Sequence, residues 1–221
     1  MVRYMRGERM KDIPMFTTEN GIASLTLREI PYSKRAYIRL QSFVDASKLL
    51  QECTDFCLAV GADEIYVSGE SWETDLPFHT DIFEMVCFRQ NLPNTNAVPM
   101  VVEKQQLAEF RSIYNDRMQD VPNAAYLSIQ DAMDILEVQS AYMVVQQEKI
   151  IGVGIAAGDT IEMMATLVKG KGKDVLAALS TRLQSEKVRV VVASANTKAM
   201  SLYNRLGFEI SEVLGRWFKI I

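Results

Sequence analysis

Apolar positions along the chain follow two rhythms, and these outline its elements. Alternating runs at residues 22–30 and 35–40 flank Pro31-Tyr32-Ser33-Lys34 and predict a hairpin. Ala46, Leu49, Leu50, Cys53, Phe56, Cys57 and Val60 then recur with helical spacing and make one buried face. Ser42 and Asp45 stand upstream at capping-box spacing, and Gly61 ends the helix. Residues 65–68 and 82–88 read as strands, so the first segment runs β-β-α-β-β.

The pattern stops at residues 92–99, LPNTNAVP, and restarts at Met100-Val101-Val102. Such a cluster of Asn, Pro and Thr marks a boundary between segments 1–96 and 97–221. Residues 98–103 form a short strand. Leu107, Phe110, Tyr114 and Met118 make a helical stripe, and Ser128 with Asp131 caps a second helix carrying Ala132, Met133, Ile135 and Leu136. Residues 141–146 and 150–157 flank Gln147-Glu148-Lys149 as a hairpin, and 160–168 is a further strand. A helix on Val175, Leu176, Leu179 and Leu183, a strand at 188–195, a helix at 197–206 and closing strands at 208–221 complete the order. The whole predicts an α/β (α+β) fold, a mixed, mostly antiparallel sheet with helices on both faces, preceded by a smaller ββαββ segment.

Composition narrows the function classes. The 221 residues suit one large domain or two small ones. Apolar residues make up 48%, with six Pro and eleven Gly, which excludes a disordered or collagen-like chain. Twenty-four basic against 28 acidic side chains give a net charge of −4 and argue against nucleic acid as a partner. The longest apolar run, residues 150–158, is far short of the ~20 residues that span a bilayer. Arg3, Arg6, Arg9 and Lys11 come without the apolar stretch of a signal peptide. Three cysteines, with Cys53 and Cys57 four apart, read as buried reduced thiols in a cytoplasmic protein. His79 is the only histidine, with no Ser or Cys nucleophile spacing near it, which removes a Ser-His-Asp hydrolase and most zinc sites, and no metal is expected.

Two stretches carry chemistry. Lys169-Gly170-Lys171-Gly172-Lys173-Asp174 lies where a strand ends and a helix begins, the place where free N–H groups and the helix dipole favour an anion. Its glycines allow close backbone approach to phosphate oxygens, and its three lysines add positive charge. A solvated basic loop has the same composition. The spacing is not that of a nucleotide-binding P-loop, because Asp174 follows Lys173 and Ala165 stands where the first Gly belongs. Further on, Asn196 suits an N-cap after a buried strand, Ala199 and Tyr203 share a helical face, and Gly207 suits the helix exit. The Tyr203 phenol can donate a proton or simply bury its ring.

The stretch N-x-x-A-x-x-L-Y-x-x-L-G-F at residues 196–208 resembles the closing motif of the GNAT acetyltransferase superfamily. The family's Q/R-x-x-G-x-G/A loop falls on 169–174, with Lys169 in place of Gln or Arg and Asp174 in place of Gly or Ala. The element order from residue 98 onward is similar to the GNAT fold, and Tyr114-Asn115 resembles a pattern in acceptor-side helices. The first segment resembles the latter half of a GNAT domain without the motifs, as in tandem GNAT proteins with one degenerate half.

The resemblance implies direct acetyl transfer from acetyl-CoA to a small-molecule or peptide amine, in a monomer or homodimer, without metal, membrane or nucleic acid. It implies Glu162 as the base, backbone N–H groups of Met164, Ala165, Thr166 and Leu167 on the thioester carbonyl, and Tyr203 as proton donor to the CoA thiolate. Lys169, Gly170, Lys171, Gly172, Lys173 and Asp174 would hold the pyrophosphate, Asn196 the pantetheine arm, and Tyr114 with Asn115 the acceptor. A non-catalytic module of this fold that binds acyl-CoA or a protein is the alternative.

Overall fold

The computed structural model describes residues 14–69 and 72–221, so Arg3, Arg6, Arg9 and Lys11 lie outside the described residues. In chain order the elements are β1 (Met15–Thr18), β2 (Gly21–Thr26), α1 (Ile30–Ser33), β3 (Arg35–Phe43), α2 (Ala46–Ala59), β4 (Glu64–Gly69) and β5 (Phe78–Phe88). There follow β6 (Val98–Val101), α3 (Leu107–Met118), α4 (Ile129–Glu137), β7 (Ala141–Gln146), β8 (Lys149–Ala157), β9 (Thr160–Thr166), α5 (Gly172–Ser180), β10 (Lys187–Ala193), α6 (Thr197–Arg205) and β11 (Glu209–Lys219).

Local departures from the sequence reading have local causes. The expected hairpin turn at residues 31–34 is instead the one-turn α1, with Pro31 in its first turn, where a missing N–H is tolerated, and Lys34 as its C-cap. Ser42 belongs to β3; the N-cap of α2 is Asp45, whose side chain accepts from the Lys48 N–H. The alternation in 14–18 is too short to predict β1, which pairs antiparallel with β2. The closing segment is one long strand, β11, and Leu183 lies past the end of α5 although it is buried. Between β7 and β8, Gln147 and Glu148 both adopt positive φ, as a two-residue hairpin turn requires.

The chain forms two compact units. The first holds the described residues up to Ile82, Pro122–Ala125 and Leu214–Ile221; the second holds Phe83–Val121 and Tyr126–Val213. Residues 92–99 fall in the second. In the first unit β1, β2 and β3 run antiparallel, β3 and β4 are parallel, and β4 pairs with the end of β11 through Val67 opposite Phe218. Its core packs Leu49, Cys53 and Cys57 of α2 against Ala36, Ile38, Ile65 and Val67. Burial pushes the Cys53 thiol up to about 12 and the Cys57 thiol up to about 11, so both stay protonated. Trp217 sets its ring edge-on against Tyr37, centroids 5.5 Å apart.

In the second unit β6, β7, β8 and β9 are antiparallel neighbours and β9 meets β10 in parallel. Helices cover both faces. α5 and α6 pack with Ile151, Ile161 and Val190, whereas α3 and α4 pack with Met143, Val153, Met163 and Ala165. A Cβ on Gly154 would lie 2.3 Å from Leu179 Cδ1, so a larger residue at this strand position would force that α5 side chain to move. Among the described residues no helix is long and apolar enough to cross a membrane.

Because β11 carries Trp217 to the first unit, 2% exposed, Trp217→Ala should destabilise that unit by about 3–5 kcal/mol. Urea unfolding followed by far-UV circular dichroism measures this; a loss below about 1 kcal/mol would mean the strand end contributes little.

Candidate active site

The site begins with a break in sheet pairing. β8 and β9 stay in register from Gly152 opposite Thr166 to Ile155 opposite Met163, then resume with Ala156 opposite Ile161. Glu162 is therefore the extra residue of a β-bulge. The core assignment bears this out, since Ile161 packs with α5 and α6 whereas Met163 and Ala165 pack on the other face. Strict alternation would put all three on one face.

At the same place β9 loses its other neighbour. β10 pairs with β9 only at Arg189 opposite Thr160 and Val190 opposite Ile161, although β9 runs on to Thr166 and β10 to Ala193. The paired end is fastened: Arg189 donates Nε–H to Asp159 Oδ2 at 2.7 Å and its backbone N–H to the Asp159 carbonyl at 2.9 Å, and its guanidinium also reaches Glu84. The strands are held at one end, and the ladder between them stops after Val190 opposite Ile161, short of residues 164–166 on β9 and of the end of β10. The corresponding β3-α2-β4 crossover of the first unit pairs at six positions, from Arg35 opposite Glu64 to Leu40 opposite Gly69. There the Asp45 carboxylate itself caps α2. That crossover is closed.

Past Thr166 the chain enters the Lys/Gly loop. The Lys171 N–H bonds the Val168 carbonyl at 3.1 Å, and Gly170 takes φ +85° at the third turn position, where only glycine is unstrained. α5 starts at Gly172, and its N-cap Lys171 offers no side-chain acceptor. The N–H groups of Gly172, Lys173 and Asp174 thus stand at the helix N-terminus without an intrahelical partner. A Cβ on Gly172 would come to 3.0 Å from Leu202 Cδ2 of α6, so this glycine also lets the two helices approach. Lys169 and Lys173 are exposed, and Lys171 lies 3.7 Å from the Asp174 carboxylate. Asp174 is mostly buried and accepts the Thr95 hydroxyl at 3.1 Å.

The remaining candidates divide. Asn196 is the N-cap of α6: its Oδ1 accepts from the Ala199 N–H at 3.2 Å, which leaves its amide NH2 to donate. Tyr203 is buried, its ring 5.3 Å from that of Phe208, and burial pushes its phenol up to about 12. Glu162 and Met164 are half-buried, and Ala165 is buried. The Leu167 N–H donates to the Ile151 carbonyl at 2.9 Å, so it is engaged within the fold. Tyr114 is buried in the α3–α4 core. Asn115 bonds the Leu127 backbone twice, donating to its carbonyl at 3.2 Å and accepting its N–H at 2.8 Å. Sequence reasoning misses the bulge and Thr95, the first because pairing register leaves no composition signal, the second because Thr95 sits in a segment read as a linker.

No family model matches the chain, and no curated protein matches it. Among solved structures it is similar to a conserved protein of unknown function from Staphylococcus epidermidis, with 13% identity over 94% of this chain and 93% of that one, TM-score 0.58. It is similar to a GCN5-related N-acetyltransferase from Sphaerobacter thermophilus, 12% identical over 90% of this chain and 76% of that one, TM-score 0.57. A GCN5-related N-acetyltransferase from Kribbella flavida shares 9% identity over 90% of this chain and 56% of that one, TM-score 0.54. The chain has the GNAT fold.

Because both polar atoms of the Asn115 side chain bind the Leu127 backbone, Asn115→Ala should lower stability by about 1–3 kcal/mol through those orphaned groups. Thermal unfolding checks it, and an unchanged Tm would free Asn115 for a role in binding.

Proposed function

We propose that the protein is an N-acyltransferase that moves an acetyl group from acetyl-CoA to a primary amine while both are bound. The observation that carries this reading is the parting of β9 from β10 at the Glu162 bulge, on the strand that leads directly into the unpartnered amides of α5. The residues fit the donor. A pyrophosphate would meet the N–H groups of Gly172, Lys173 and Asp174 across the Gly170 turn, with Lys169, Lys171 and Lys173 adding charge. The Asn196 amide would donate to the pantetheine arm, and the open edge of β9 around Met164, Ala165 and Thr166 would pair with it or with the thioester carbonyl.

Bound acetyl-CoA supplies an activated acyl group and a thiolate leaving group. Glu162, set apart by the bulge, would take the proton of the acceptor amine directly or through water. Tyr203 would return a proton to the departing thiolate. A phenol whose pKa lies near 12 is fully protonated at neutral pH, so it serves as a donor and not as a base. The net charge of −4 favours a cationic acceptor through long-range attraction.

One observation favours the second reading, a non-catalytic acyl-CoA or protein-binding module: Tyr203 is only 6% exposed and packed on Phe208. The two readings separate by experiment. Calorimetric titration should give saturable acetyl-CoA binding, and a panel of primary amines should yield turnover detected as free CoA thiol. Binding without turnover on any amine supports the module, and absence of binding contradicts both acyl-CoA readings.

For the enzyme, Tyr203→Phe should lower kcat about tenfold, at the small end of general-acid effects because a thiolate leaves readily. The Tyr203 ionisation, raised to about 12, should cause no loss of kcat between pH 7 and about 10. An alkaline fall inside that range that disappears in Tyr203→Phe would contradict the raised ionisation, whereas an unchanged kcat in Tyr203→Phe would contradict the donor role.

A further inference from the structure

We propose that Thr95 is a positioning residue for the phosphate-binding loop, acting through Asp174; the proposal rests on the reading of α5 as an acyl-CoA site. Asp174 is the third residue of α5, so its carboxylate belongs to the same first turn whose N–H groups would receive the pyrophosphate. An unrestrained carboxylate there would compete for those amides, as side chains at helix N-termini do, and would repel the phosphates. In the first unit a carboxylate does take such an amide, from the N-cap position, since the Asp45 side chain accepts the Lys48 N–H of α2.

In the second unit it is prevented by an outside contact. The Thr95 hydroxyl donates to Asp174 Oδ1 at 3.1 Å and accepts the Ala97 N–H, also at 3.1 Å. Accepting on one side and donating on the other fixes the rotor, so the hydroxyl hydrogen is aimed at the carboxylate. The loop that carries Thr95 is itself tied down, because the Gln146 side-chain amide donates to Asn96 Oδ1. Lys171 Nζ, 3.7 Å from the other oxygen, partly neutralises the charge. Two partners therefore hold the carboxylate, which is 15% exposed, and the first-turn amides of α5 keep no side-chain acceptor.

The test is acetyl-CoA titration of the full chain by calorimetry, in parallel with thermal unfolding, for wild type, Thr95→Ser, Thr95→Val, Asp174→Asn and the Thr95→Val/Asp174→Asn double variant. Thr95→Val should weaken acetyl-CoA binding about tenfold, the scale of one hydrogen bond to a charged group. Thr95→Ser, which keeps the hydroxyl, should bind like wild type. Asp174→Asn should bind as well as wild type or better, and in that background Thr95→Val should have no further effect on affinity. The non-additivity is the signature, because loss of the Ala97 contact lowers Tm in both backgrounds whereas only a freed charge can be cancelled at residue 174. Equal weakening by Thr95→Val in both backgrounds, or no weakening in either while wild type binds, overturns the proposal and leaves the acyl-CoA site standing. No binding by any of the five proteins overturns the site and the proposal together.

Discussion

Two parallel strands that pair at only two positions and then separate dominate the second unit. A separated pair exposes backbone N–H and C=O groups that the rest of a sheet satisfies internally, so water or a ligand must complete them. Such an opening survives because its surroundings are rigid. Asp159 and Arg189 clamp the paired end, β8 keeps β9 in register on its other edge, and α5 is seated against β8 where Gly154 gives it room. The Glu162 bulge is what reconciles these demands, since it lets β9 follow β8 while its faces exchange sides between Ile161 and Met163.

The two units contain the same strand-helix-strand crossover in different states. In the first, β3 and β4 pair throughout and an aspartate caps the intervening helix. In the second, the strands part, the helix has no side-chain cap, and the loop before it turns on Gly170. The proposed ligand site lies at the second, where the first-turn amides of the helix lack a side-chain acceptor. Of the two residues expected at an acceptor site, Asn115 is engaged with Leu127 and Tyr114 is buried.

What the sequence makes legible is what is determined locally. The helical stripes of α2, α3 and α5, the Ser128 and Asn196 caps and the order of elements in the second segment as far as α6 all follow from spacing within a few residues. The 196–208 stretch points to the fold found through its resemblance to the GNAT closing motif. Long-range arrangements are not legible. Thr95 meets Asp174 across 79 positions, and Val67 pairs with Phe218 from a distant part of the chain. Ser42 and Asp45 read together as a capping box, and only the extent of β3, which takes in Ser42, leaves Asp45 as the N-cap. A bulge is a register event between two strands, so Glu162 can be named as a base by resemblance without any sign of why it stands apart.

Amide hydrogen exchange along β9, read with and without acetyl-CoA, tests the opening most directly. Amides at 160 and 161 should be protected in the free protein, whereas among those at 163–166 the ones on the β10 edge should exchange fast and become protected when acetyl-CoA is added. Full protection of residues 163–166 in the free protein, unchanged by acetyl-CoA, would show that β9 and β10 are closed in solution and would contradict the site.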